Sequence, residues 1–249
     1  MRRAQLRILL SAALAAIGAL LLSSCGTTTT TASRRLPAYE APMAKSDFQT
    51  VRTTAYTHTE ADHVQYSNRN ALGGRLRAAT AGLRRAAYAA RALPADSDSA
   101  SDYRRASLSG ASLDSYLTPQ KKKVTRWVRT KRGRKKVTTT VLVRPTIGSA
   151  AADWSRWPAG TTFRLLSTGQ IYKVDDYGWA LSGRNTIDLY MGSRGDMNTW
   201  GVRSEPIQIL RWGAPEASLQ VLQGRQGYKH IRRMVLQLEG QHATAAALE

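Results

Sequence analysis

Val174-Asp175-Asp176-Tyr177-Gly178-Trp179-Ala180-Leu181-Ser182-Gly183, followed after a short gap by Ile187-Asp188-Leu189-Tyr190, is the stretch on which the fold of this chain turns. Strand alternation places Ile187 and Leu189 on one face and Asp188 and Tyr190 on the other. Aspartate is a poor strand residue. Set between apolar neighbours, it is either a buried, hydrogen-bonded carboxylate or an acid whose pKa desolvation has raised. A third aspartate lies upstream in Ala152-Asp153-Trp154-Ser155-Arg156-Trp157-Pro158. Taken alone, the segments around Asp153 and Asp176 read as ordinary turns.

Working outward, the runs 162–166, 171–174, 186–191 and 207–210 are short and rich in branched and aromatic residues, and turn residues such as Ser167-Thr168-Gly169-Gln170 separate them. They predict a small, tightly turned β-domain. Residues 48–57 alternate well enough to add a strand. His58, Glu60, Asp62 and His63 come next. Their spacing makes no common ligand face on a helix or strand, so they read as polar loop residues, not a metal site. Over residues 71–93, Leu72, Leu76, Leu83, Ala87 and Ala90 recur near helical spacing with arginines off the stripe. That predicts a helix packed on the domain. Residues 95–115, after Pro94, read as a linker or weak helix. A closing helix is predicted over 228–238, with Ile231, Val235 and Leu238 on one side and His230 at the surface.

The amino-terminus reads as an address. Arg2, Arg3 and Arg7 precede an apolar run over residues 8–22, which is too short for a comfortable membrane span. It ends in Leu22-Ser23-Ser24-Cys25-Gly26, which resembles the lipobox of bacterial lipoproteins, with Cys25 as the acylated residue. An ordinary secretory leader is the alternative. Cys25 is the only cysteine, so neither a disulfide nor a thiolate metal site is expected. Gly26 resembles the residue that follows the cysteine in lipoproteins sent to the outer membrane, which would place the protein in the envelope facing the periplasm. Residues 27–44, rich in Thr, Ser, Ala and Pro, read as a flexible tether.

The formal net charge of +20 implies attraction to polyanions. Much of it is concentrated between Pro119 and Pro145, a stretch without an acid. There Val124-Thr125-Arg126-Trp127-Val128-Arg129 and the β-rich run 137–143 flank Lys131-Arg132-Gly133-Arg134-Lys135-Lys136, predicting a hairpin with a cationic tip. The basic segment from Lys121 to Lys136 reads either as a binder of an anionic envelope polymer or as a solvated edge whose charges deter aggregation. Nucleic acid is not the expected partner of an exported chain.

In their order, several of these pieces resemble the three-aspartate (3D) domain family of lytic transglycosylases and stationary-phase cell-wall proteins. Thr53-Thr54-Ala55-Tyr56-Thr57 looks like its opening T-A-Y-T strand, and Ala150-Ala151-Ala152-Asp153 with Trp157-Pro158-Ala159-Gly160-Thr161 like its A-V-D-P and I-P-L-G-T segments. The stretch 174–183 looks like V-x-D-T-G-x-A-I-K-G, and Ile187-Asp188-Leu189-Tyr190 like I-D-L-Y. Two departures stand beside the presumed site: Ser182 replaces the family's Lys, and Arg184-Asn185-Thr186 is one residue longer than usual.

The resemblance implies a mainly β chain forming a double-psi β-barrel; the partly helical basic stretch between its two matching parts reads as an insertion, and a short helix closes the chain. Its layout would be 1–24 signal peptide, 25–47 tether, 48–77 first part of the barrel, 78–145 insertion, 146–213 second part and 214–249 carboxy-terminal extension. It implies cleavage of peptidoglycan glycan strands between N-acetylmuramic acid and N-acetylglucosamine, with Asp188 as acid/base and Asp176 and Asp153 in support. Tyr56, Trp179 and Tyr190 would contact substrate, and no cofactor or metal is expected. A non-catalytic envelope glycan-binding or polyanion-binding module on the same barrel is the alternative.

Overall fold

The computed structural model describes residues 35–61, 63–80, 113–130 and 133–248. Leu36–Glu249 forms one compact unit. The leader, Cys25, residues 27–34 of the tether, residues 81–93 of the expected helix, residues 95–112 of the linker and Lys131 and Arg132 of the cationic tip lie outside the described residues. No described helix is long and apolar enough to cross a membrane.

Eight strands are described: β1 (Phe48–Tyr56), β2 (Gln120–Thr130), β3 (Gly133–Val143), β4 (Gly148–Ala152), β5 (Thr162–Leu165), β6 (Ile171–Asp176), β7 (Thr186–Tyr190) and β8 (Arg203–Arg211). Six of them close a barrel in the order β1-β7-β4-β6-β5-β8, while β2 and β3 make a separate hairpin. The chain is therefore mainly β. Within the barrel β1–β7 and β4–β6 are parallel and the other pairs antiparallel.

Alternation fills the interior: Val51, Phe163, Tyr172, Val174, Ile187, Leu189 and Ile207 are all buried in one core. Each such aromatic or branched side chain contributes about 1.5–3 kcal/mol. Five helices are described: α1 (Leu113–Leu117), α2 (Arg194–Trp200), α3 (Pro215–Gln223), α4 (Lys229–Leu238) and α5 (His242–Ala247). Leu222 of α3 and Ile231, Met234 and Val235 of α4 join the same core, as do Trp154 and Trp157.

Three features differ from the sequence reading. Residues 71–80 form turns and extended chain, not a helix: Leu76 is buried while Leu72 is 47% exposed, so the supposed stripe has no common face. His230 is half-buried, not a surface residue, beside Tyr177 and Tyr228, and burial pushes its pKa down to about 4. Strand β4, Gly148-Ser149-Ala150-Ala151-Ala152, carries no branched residue and is buried throughout. Its small side chains suit its place between β6 and β7, where a Cβ on Gly148 would stand 2.6 Å from the Tyr172 ring.

Gly213, just past β8, abuts the Pro158–Thr161 backbone, where an added Cβ would meet the Ala159 carbonyl oxygen at 2.3 Å and that of Pro158 at 2.5 Å. Backbone on both sides cannot swing away as a side chain would. Gly213→Ala is expected to cost about 1–3 kcal/mol, read as a lower urea midpoint with unchanged slope.

Candidate active site on the barrel face

Register brings two of the aspartates into one row. Asp188 of β7 sits opposite Thr54 of β1 on one side and Ala151 of β4 on the other. Ala151 in turn sits opposite Asp176 of β6, after a register shift that skips Asp175. Without that shift Ala151 would face Asp175, and Asp176 would turn to the other side of the sheet. The row Thr54, Asp188, Ala151, Asp176 thus spans four strands. At about 4.8 Å per strand, the two aspartate backbones lie about 10 Å apart, with only the Ala151 methyl between them.

Asp188 is half-buried, and its Oδ1 accepts a 2.7 Å hydrogen bond from the Thr54 hydroxyl. Burial pushes its pKa up to about 7; the Thr54 bond opposes that, and the charges of Glu60 and Asp176 add to it. The carboxyl therefore holds a proton close to neutral pH. Ile187 and Leu189, its neighbours along the strand, are fully buried in the barrel core and fix its direction.

Asp176 is held from several sides. Its Oδ2 accepts from the Tyr56 hydroxyl at 3.1 Å and lies 3.3 Å from His63 Nε2, while Oδ1 accepts from the backbone N–H of Ala71 and Tyr177. His63 Nδ1 faces the Ser67 carbonyl at 3.2 Å. Both ring nitrogens thus address acceptors, which favours the imidazolium. The Asp176 hydrogen bond is the largest cause raising the His63 pKa. Burial and the Asp176 charge hold the Tyr56 phenol well above its usual range, so it stays a donor.

Tyr56 and Tyr190 are register partners on β1 and β7 and meet edge to face at 5.6 Å. The Tyr190 hydroxyl lies 2.7 Å from His58 Nδ1. Both tyrosines are buried, in one cluster with Leu76, Ala151 and Leu181. Asp175, beside Asp176 on β6, accepts from the Ser149 hydroxyl, and burial pushes its pKa up to about 6.

Asp153 takes a different position from the one the resemblance implies for a catalytic residue. It is fully buried, and its carboxylate accepts from the Ser155 N–H at 2.8 Å, the Ser155 hydroxyl, the Gly183 N–H and Gln237 Nε2 at 3.2 Å. Arg156 Nε lies 3.9 Å from it and donates through Nη2 to the Gly183 carbonyl. Asp153 and Arg156 thus clamp the Gly183 peptide from both ends. Gly183 itself has φ +76 and lies against Arg233, so the loop leading into β7 accepts only glycine there. The Asp153 carboxylate contacts the loop that leads into β7 and touches no open surface.

Trp179 begins the 3-10 turn Trp179–Leu181 between β6 and β7 and is half-buried. Ser182 is buried, and its hydroxyl donates to the His230 carbonyl, away from the aspartate row. Of the residues that sequence reasoning assigned to a polar loop, Asp62 lies outside the described residues and the other three belong to the site: His58 meets Tyr190, His63 meets Asp176, and Glu60 is near enough to act on Asp188. Glu60 is anchored by the Thr57 N–H at 2.9 Å. Among the described residues no three His, Cys, Asp or Glu side chains cluster as a metal site. Comparison with family models, curated proteins and solved structures gives no match for this chain.

Proposed function

We propose that this barrel face cleaves the glycan strand of peptidoglycan as a lytic transglycosylase, from a lipid anchor at Cys25 in the bacterial envelope. The observation that carries the reading is Asp188, a carboxyl whose pKa burial raises to about 7, set half-open in a row with a second aspartate. A general acid is most effective when its pKa lies near the working pH. The two parallel pairs β1–β7 and β4–β6 inside a closed six-strand ring support a double-psi barrel of the three-aspartate type.

In this reading Asp188 gives its proton to the glycosidic oxygen as the bond to the muramic acid C1 breaks. The carboxylate left behind then takes the proton of the muramic acid 6-hydroxyl while that oxygen closes on C1, forming the 1,6-anhydro ring and restoring the acid. No water enters. This departs from the two-carboxylate hydrolytic scheme. Asp176, paired with His63 and held by Tyr56, would bind sugar hydroxyls across the gap over Ala151.

One observation favours the alternative, a glycan-binding module without catalysis: Ser182 is turned toward α4 and supplies none of the positive charge the family's lysine would bring. Incubation of the protein with purified sacculi, followed by mass spectrometry, separates the two. Anhydro-muropeptides are expected; a folded protein that binds sacculi and releases none would replace the enzyme with the binding module.

A further inference from the structure

The β2–β3 hairpin plays no part in that chemistry, and its two faces differ. Directly opposed residues of an antiparallel ribbon share a face. The register pairs Lys121 with Leu142, Lys123 with Thr140, Thr125 with Thr138, Trp127 with Lys136 and Arg129 with Arg134. The 2.9 Å contact between the Thr125 and Thr138 hydroxyls marks their common side. This face therefore collects Lys121, Lys123, Arg129, Arg134 and Lys136 with no acid among them. It also carries the hairpin's two most exposed apolar side chains, Trp127 at 65% and Leu142 at 69%.

The reverse face carries Lys122, Arg126 and Lys135 among valines, and Val124, Val141 and Val143 are only 39%, 38% and 36% exposed. On the first face the Leu142 row and the Trp127 row are six residues apart, about 20 Å along the ribbon. Cations lie between and beyond them. A two-stranded ribbon alone is marginally stable in water, so a partner on one face adds what the missing third strand would.

We infer that the face bearing Lys121, Lys123, Trp127, Arg129 and Leu142 is a docking surface for an anionic lipid bilayer. Five cations in one plane match a sheet of headgroup phosphates, and no acid on the face opposes them. Tryptophan is favoured at the membrane interface. Leu142 discriminates between partners: an aliphatic side chain gains from the acyl boundary, whereas a phosphodiester strand rewards cations and aromatic stacking alone. The surface is separate from the aspartate row, and its test does not depend on catalysis.

The test uses residues 36–249, the compact unit, with vesicles of phosphatidylcholine alone or with three-tenths phosphatidylglycerol. Partition into the anionic vesicles is expected to exceed that into the neutral ones by at least about ten-fold, and to fall with salt. Two triple variants then remove equal charge from opposite faces. Lys123→Gln/Arg129→Gln/Lys136→Gln is expected to lose at least about ten-fold in partition, and Lys122→Gln/Arg126→Gln/Lys135→Gln about two-fold or less. Trp127→Ala/Leu142→Ser, which keeps every charge, is expected to lose binding at raised salt. Equal losses from both triple variants would overturn the proposal in favour of unspecific attraction. So would displacement from vesicles by an oligothymidylate bound more tightly through the same face, which would make the partner a phosphodiester strand. Unchanged thermal unfolding of each variant shows that the barrel is intact, since all the substituted positions lie on the hairpin.

Discussion

Asp188→Asn is expected to lower anhydro-muropeptide release from sacculi by about 10³-fold at pH 6 and, in the same protein, to raise the thermal midpoint at pH 8. The two halves have one cause. The carboxyl titrates near 7 in the folded chain because burial disfavours its anion, against about 4 when unfolded. A folded-state pKa raised in this way contributes stability that is present below pH 4 and is lost as pH rises through 7. Full conversion of that rise would be about 4 kcal/mol. The carboxyl is half-open to water, so about 1–2 kcal/mol is the expected penalty at pH 8. Asparagine cannot ionise and escapes it, while its amide oxygen can still accept from Thr54. In the unsubstituted protein, activity should fall tenfold per pH unit above 7 as the acid ionises. Full activity in Asp188→Asn would remove the acid/base role. An unchanged midpoint at pH 8 would mean the carboxyl is not desolvated.

The strands of the barrel were largely legible because period-two alternation survives wherever one face is buried. Ile187 and Leu189 lie in the core and Asp188 on the other side, as alternation requires. Strand β4 was not legible as a strand, since Gly148 and three alanines carry no branched side chain. The packing of Tyr172 and the neighbouring strands forces small residues there. Helix α2 had a signal that composition hid: Ser193 is its N-cap, accepting from the Asp196 N–H and donating its hydroxyl to the Asp196 carboxylate.

The site was half legible. Asp188 could be picked out as an unusual strand carboxylate and Asp176 through the resemblance, but not the bulge that puts Asp176, and not Asp175, in line with Asp188. Register shifts leave little mark on local sequence. Glu60 and His63 were set aside because four polar residues in a loop lack a ligand face. They act instead one at a time, each on a different aspartate brought from more than 100 residues away. Nothing local encodes such a contact.

Asp153 and Asp176 look alike in the sequence, and Asp153→Asn separates them. The substitution keeps the side-chain volume but replaces one acceptor oxygen with a donor, inside a pocket where Ser155, Gly183 and Gln237 all donate. It also removes the carboxylate paired with the buried Arg156 guanidinium, which otherwise meets the carbonyl oxygens of Glu40 and Gly183, the side chain of Asn185 and the Tyr39 ring. Leaving a buried charge without its partner typically costs about 3–5 kcal/mol. Asp153→Asn is therefore expected to lower the urea unfolding free energy by that amount at pH 7. The charges that raise the Asp188 pKa are those of Glu60 and Asp176, so any residual activity of Asp153→Asn should keep its alkaline limb near pH 7. A displaced limb with native stability would mean that Asp153 acts on the acid through its charge. Lost stability with an unmoved limb would identify it as the clamp that holds the Gly183 loop, and with it the start of the strand that carries Asp188.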